Sequence, residues 1–133
     1  MVPTPPTSAI TIFGVDPPSN DASVHDLSLN SYNYQVDYVG VEVFTAKWLK
    51  GKSTINVSVQ DFKLTNGNAD PTGYLYVNVC TGGPSTCTSK KITVNQYGTG
   101  STSFSGLSTT TKYFVRFVVP NNGDKRTFYG TIS

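Results

Sequence analysis

Apolar residues along this chain recur at every second position in short runs, and no stretch carries the three-to-four-residue stripe of an amphipathic helix. Ile55, Val57 and Val59 alternate with Asn56, Ser58 and Gln60; Leu75, Val77 and Val79 alternate with Tyr74, Tyr76 and Asn78. Extended backbone sends successive side chains to opposite faces, so each run predicts a strand with one face in a core and one in water. Further strands are expected over Ala9–Val15, Tyr32–Tyr38, Val41–Leu49, Lys91–Asn95, Ser101–Phe104, Tyr113–Val119 and Thr127–Ile132. His25–Asn30 reads either as a short strand or as an irregular crossing, and Gly40 leaves open one long bent strand or two broken ones. With Tyr32–Leu49 counted as one bent strand, the chain reads as seven or eight strands. Between them lie turn formers: the double proline of Asp16–Asp21, the long run Asn66–Gly73, and Pro120–Asp124. The Asn122-Gly123 pair in the last of these favours a tight hairpin and predicts that the final two strands pair with each other.

The strand from Tyr113 to Val119 is apolar on both sides, with Tyr113, Val115, Phe117 and Val119 on one face and Phe114, Arg116 and Val118 on the other. A strand with its own core on one side and partial cover on the other belongs in the middle of a two-sheet sandwich. Leu107, Thr111 and Tyr113, running into Val115 and Phe117, resemble the stretch leading into the sixth strand of fibronectin type III domains, where a tyrosine corner ties the chain to the upstream turn. The resemblance covers Ser101–Ser133. It implies an all-β, two-sheet antiparallel sandwich, of fibronectin III or immunoglobulin-like type, used for adhesion, spacing or ligand binding, and it carries over no catalytic residues. A jelly roll also fits the strand pattern.

With 133 residues, the chain is read as a single domain over residues 9–133, preceded by a Pro/Thr-rich linker or tail over residues 1–8 that suggests an original leader or upstream domain. Charged residues make up only 14% of the chain, against the usual ~25%, and the formal charge of +2 is scattered over several loops. That distribution argues against nucleic acid, which calls for a clustered basic face. No run approaches the ~20 apolar residues of a membrane span. Cys80 and Cys87 enclose a turn-rich hexapeptide between two strand-like runs, so a hairpin would bring their sulfurs together as a disulfide, which favours a secreted or extracellular location.

Catalysis finds little support. The single histidine, His25, lies in a polar segment with no nucleophile elbow, and the lone Glu42 among eight carboxylates removes a Glu-Glu acid/base pair. The loops holding Asp16, Asp21 and Asp70 supply oxygens at a spacing that makes calcium a possible ligand, although the same residues are ordinary turn formers. Aromatics are the stronger lead. Tyr74 and Tyr76 share the face opposite Leu75, Val77 and Val79, forming a solvent-facing pair suited to stacking on sugar rings with Asn78 beside it; Tyr32 and Tyr34 form a second pair. The expected function is a non-catalytic binding module for a polysaccharide or cell-wall surface. The alternatives are a structural or protein-interaction subunit that pairs through an edge strand, or an inhibitor of a secreted hydrolase.

Overall fold

A computed structural model describes residues 10–12, 16–68, 70, 73–82 and 86–133. The expected tail over residues 1–8, and Ala9 and Phe13–Val15 of the first expected strand, lie outside the described residues.

Among the described residues there are eleven strands: β1 (Ile10–Ile12), β2 (Val24–Asp26), β3 (Tyr32–Val39), β4 (Glu42–Phe44), β5 (Trp48–Lys50), β6 (Ile55–Leu64), β7 (Tyr74–Cys80), β8 (Cys87–Thr93), β9 (Gly100–Phe104), β10 (Phe114–Val118) and β11 (Arg126–Ile132). They form a five-stranded sheet in the order β1-β3-β11-β6-β9, a four-stranded sheet in the order β4-β10-β7-β8, and a small parallel pair of β2 with β5. Neighbours in the two main sheets are antiparallel except β1, which runs parallel to β3. The all-β sandwich expected from alternation is therefore the fold. The strand count exceeds seven or eight because Gly40 separates β3 from β4, which belong to different sheets, and because β2 and β5 are three-residue segments too short to show periodicity. The His25–Asn30 ambiguity resolves into both readings in sequence: β2 ends at Asp26, whose carboxylate then accepts bonds from the Ser28 N–H (3.0 Å) and hydroxyl (2.6 Å) in a local turn. Those two bonds hold the exposed Asp26 carboxyl below its ordinary range.

The core lies between the sheets. Val57, Val59, Phe128 and Ile132 of the five-stranded sheet face Leu75, Val77, Val115 and Phe117 of the four-stranded one, all essentially inaccessible. Tyr32 and Tyr34, expected as a solvent-facing pair, belong here, at 2% and 1% exposure. They lie in phase with buried Val36, so the whole face points inward. The Tyr34 ring packs on Phe117 and Phe128, and its hydroxyl reaches across Gly130 of β11 to donate to the Ser58 carbonyl of β6 at 2.6 Å. Burial pushes this phenol well above its ordinary pKa.

At the end of the sandwich before β10, Tyr113 is buried, and its hydroxyl accepts a bond from the Ser108 N–H at 2.9 Å, the tyrosine corner expected from Leu107 and Thr111. The final hairpin is not formed. β10 and β11 lie in different sheets, and the segment between them crosses from one layer to the other. Buried Arg126 organises that crossing by donating to the carbonyls of Pro120 (2.8 Å) and Asp124 (3.0 Å), to the Asn122 side chain (3.2 Å) and to Asp70 (2.5 Å). A buried guanidinium needs these partners, and gathering them draws Asn122-Gly123 into a wider loop than a two-residue turn.

Candidate functional site

The two sheets present very different outer faces. On the five-stranded sheet, a groove of about 430 Å³ is lined by Asn56, Ser58, Ser101, Ser103, Thr131 and Lys90, among others. Three of its polar side chains, Ser58, Thr131 and Lys90, are bonded within the protein. The Ser58 hydroxyl donates to the Thr131 carbonyl (3.2 Å) and accepts from the Thr131 N–H (3.0 Å), the Thr131 hydroxyl donates to Asn33 (3.1 Å), and Lys90 Nζ donates to the Ser103 carbonyl (2.7 Å).

The outer face of the four-stranded sheet is aromatic. Alternation along β7 and β10 places Tyr74, Tyr76, Asn78 and Cys80 on this side together with Phe114, Arg116 and Val118. Cross-strand register then sets the neighbours: Val118 lies between Glu42 and Tyr76, Arg116 between Phe44 and Asn78, and Phe114 beside Cys80, which is bonded to Cys87 of β8. The expected disulfide is therefore present, and it forms part of this face.

Tyr76 is 40% exposed, while Tyr74 is half-buried; their rings meet edge to face at 5.9 Å, and Lys91 Nζ lies 4.4 Å from the centre of the Tyr74 ring. Asn78 is buried, and its Oδ1 has no hydrogen-bond partner among the described residues. Next to it, Arg116 Nε donates to Glu42 Oε2 at 2.9 Å and Nη2 donates to the same oxygen.

Beyond the ion pair lies a cleft of about 370 Å³ that sequence reasoning did not identify. Phe44, Phe114 and Trp48 form its floor, with Trp48 and Phe114 edge to face at 5.6 Å and Phe44 and Phe114 tilted at 6.0 Å. Pro17, Pro18 and Asn20 wall one side, and Cys87 with Gly82 belongs to the lining as well. The double-proline loop is held in place by Trp48 Nε1, which donates to the Ser19 carbonyl at 2.7 Å, and by Lys112 Nζ, which donates to the Asn20 carbonyl at 3.2 Å from above the indole ring. Trp48 is thus buried outside the main core, beneath a loop. The signal for the cleft was the outward phase of Phe114 in a strand apolar on both faces.

The remaining expected residues are dispersed. Asp70 is buried against Arg126 in an ion pair, which corrects its reading as a calcium ligand: its carboxylate is committed to balancing that guanidinium. Asp16 and Asp21 are exposed, and among the described residues no three His, Cys, Asp or Glu side chains gather as a metal site would require. His25 Nε2 lies 3.0 Å from the Asn30 carbonyl oxygen and its ring packs edge-on to Tyr32, a local structural arrangement. Among the described residues no helix is long and apolar enough to cross a membrane. No protein-family model matches the chain and no curated protein is similar to it in sequence, so its function is read from the chemistry of this face.

Proposed function

We propose that the chain is a secreted or cell-surface binding module without catalytic activity, and that the outer face of the four-stranded sheet takes a polysaccharide or cell-wall glycan. One observation carries this reading: an exposed Tyr76 ring, supported edge-on by Tyr74, continues past a polar middle into an aromatic-floored cleft on the outside of a sheet. Aromatic rings with a few fixed polar groups are the usual means of holding a sugar ring, whose C–H faces stack while its hydroxyls hydrogen-bond. The internally matched Glu42–Arg116 pair leaves stacking and hydrogen bonding as the main attractions, so retention should vary little with salt. The disulfide supports the extracellular assignment. The tyrosine corner supports kinship of the C-terminal third with fibronectin type III modules, whereas the assignment of β10 and β11 to different sheets departs from the immunoglobulin arrangement, in which the corresponding strands share one sheet.

The test is retention on insoluble cellulose, chitin and peptidoglycan. Replacing Tyr74 and Tyr76 together with Ala should leave the unfolding free energy within about 1 kcal/mol of the parent, since both rings lie outside the core, and weaken retention by about tenfold. A folded double variant retained as well as the parent would overturn the glycan reading and favour assembly through an edge strand.

A further inference from the structure

We infer that the ligand is a linear polyhydroxylated chain laid along β7, longer than two sugar units, and that Asn78 meets it at the middle of its path. The inference rests on the glycan reading of this face. Tyr74, Tyr76, Asn78 and Cys80 follow one another on the same side of β7, and six strand steps separate the first from the last, about 20 Å at the usual rise per residue. The tyrosine pair stands at one end of that line and the cleft of Phe44 and Phe114 opens at the other. A single ring can occupy one end only; using both ends requires a chain.

The middle of the path contains a second, independent sign of a ligand. Asn78 is 5% exposed, and its Oδ1 accepts no hydrogen bond from any described residue. Buried amide oxygens are nearly always paired, and leaving one without a donor costs stability. Its cross-strand neighbours do not supply the donor: Arg116 turns to Glu42, and Ser89 is exposed. The oxygen is covered from solvent, so a hydroxyl from a chain crossing between Tyr76 and the cleft would provide the donor once the side chains over it move aside. Since the charge of Arg116 is already matched, recognition there runs through neutral donors and acceptors. Asn78 is thus a position where the fold gives up stability for binding, a trade common at functional sites.

Calorimetry with soluble oligomers, from disaccharide to hexasaccharide, of whichever of the three polysaccharides retains the protein tests this. Affinity should continue to rise beyond the disaccharide, by about tenfold or more in total. Asn78→Leu should raise the thermal midpoint, because it removes an unpaired polar atom, while weakening binding of the longer oligomers by about tenfold. Affinity already at its limit with the disaccharide would overturn the inference, as would an Asn78→Leu protein that binds like the parent or melts earlier. Should that variant not fold, the length series of the parent decides alone. Retention that disappears in the Tyr74, Tyr76 double variant but withstands Asn78→Leu leaves the glycan reading standing and removes only this inference; retention on none of the polysaccharides removes both.

Discussion

The outer faces of the two sheets are made of different materials held in different states. On the five-stranded sheet, Ser58, Thr131 and Asn33 bond to one another, and the Ser58 carbonyl is taken from inside by Tyr34. On the four-stranded sheet, three aromatic rings lie under a pinned loop, a fourth stands in solvent, and an amide oxygen has no donor among the described residues. The groove on the first face is the larger, yet its Ser58 and Thr131 hydroxyls and its Lys90 amine are already bonded within the protein. The comparison teaches that concavity alone is a poor guide to a binding site, and that unspent chemistry is a better one.

The contrast can be broken most forcefully at Gly130. A Cβ there would lie 2.0 Å from the Ser58 carbonyl oxygen and 2.8 Å from the Tyr34 hydroxyl, with backbone unable to yield. Gly130→Ala should therefore cost about 3 kcal/mol, the upper end of overpacking, read as a lower urea midpoint. An unchanged midpoint would mean that the closed face is looser than its bonds imply.

The next largest effect belongs to the other face. Replacing Cys80 and Cys87 with Ala should cost about 2 to 3 kcal/mol in the chain-entropy account of so short a loop, and should weaken binding because Cys87 lines the cleft. Thermal melts of the variant beside the parent check the first part. If the variant binds as tightly as the parent, the cleft end of the path is idle.

The smallest effect sharpens the comparison through pH. Because the neutral Tyr34 phenol is favoured in the fold, its folded pKa lies above the unfolded value of about 10. Its contribution to stability is fully present below that unfolded value and is lost as pH rises above it toward the folded pKa. Ultraviolet titration should thus show a tyrosine component that ionises late, and Tyr34→Phe should remove it. A late component that persists in Tyr34→Phe would assign the buried phenol elsewhere.

The core strands were legible because strict alternation at Ile55–Val59 and Leu75–Val79 lets only one face be apolar. The same rule misplaced Tyr32 and Tyr34: it shows that two side chains share a face without saying which face is wet, and the decisive neighbour was Val36, in phase with both. Tyr76 was legible as exposed, but the buried state of Asn78 was not, since cover over a strand comes from chain distant in sequence. The cleft was illegible for a similar reason: Pro17, Phe44, Cys87 and Phe114 meet only once four separate segments are in place. Asn122-Gly123 misled because a local turn preference worth a fraction of a kcal/mol yields to the partners that a buried guanidinium requires.

The position of β11 has a consequence for the order in which the molecule comes into being. β3 and β6 do not pair with each other; β11, formed from residues far later in the chain, stands between them. As the chain is synthesised, β1 with β3 and β6 with β9 therefore emerge before the strand that joins them, and the five-stranded layer cannot close until β11 follows. Such long-range closure is intrinsically slow and exposes edges to wrong partners. Asn33 and Gln35 on β3, with Asn56 and Ser58 on β6, make one side of both early segments polar, a composition suited to keeping unfinished chains apart.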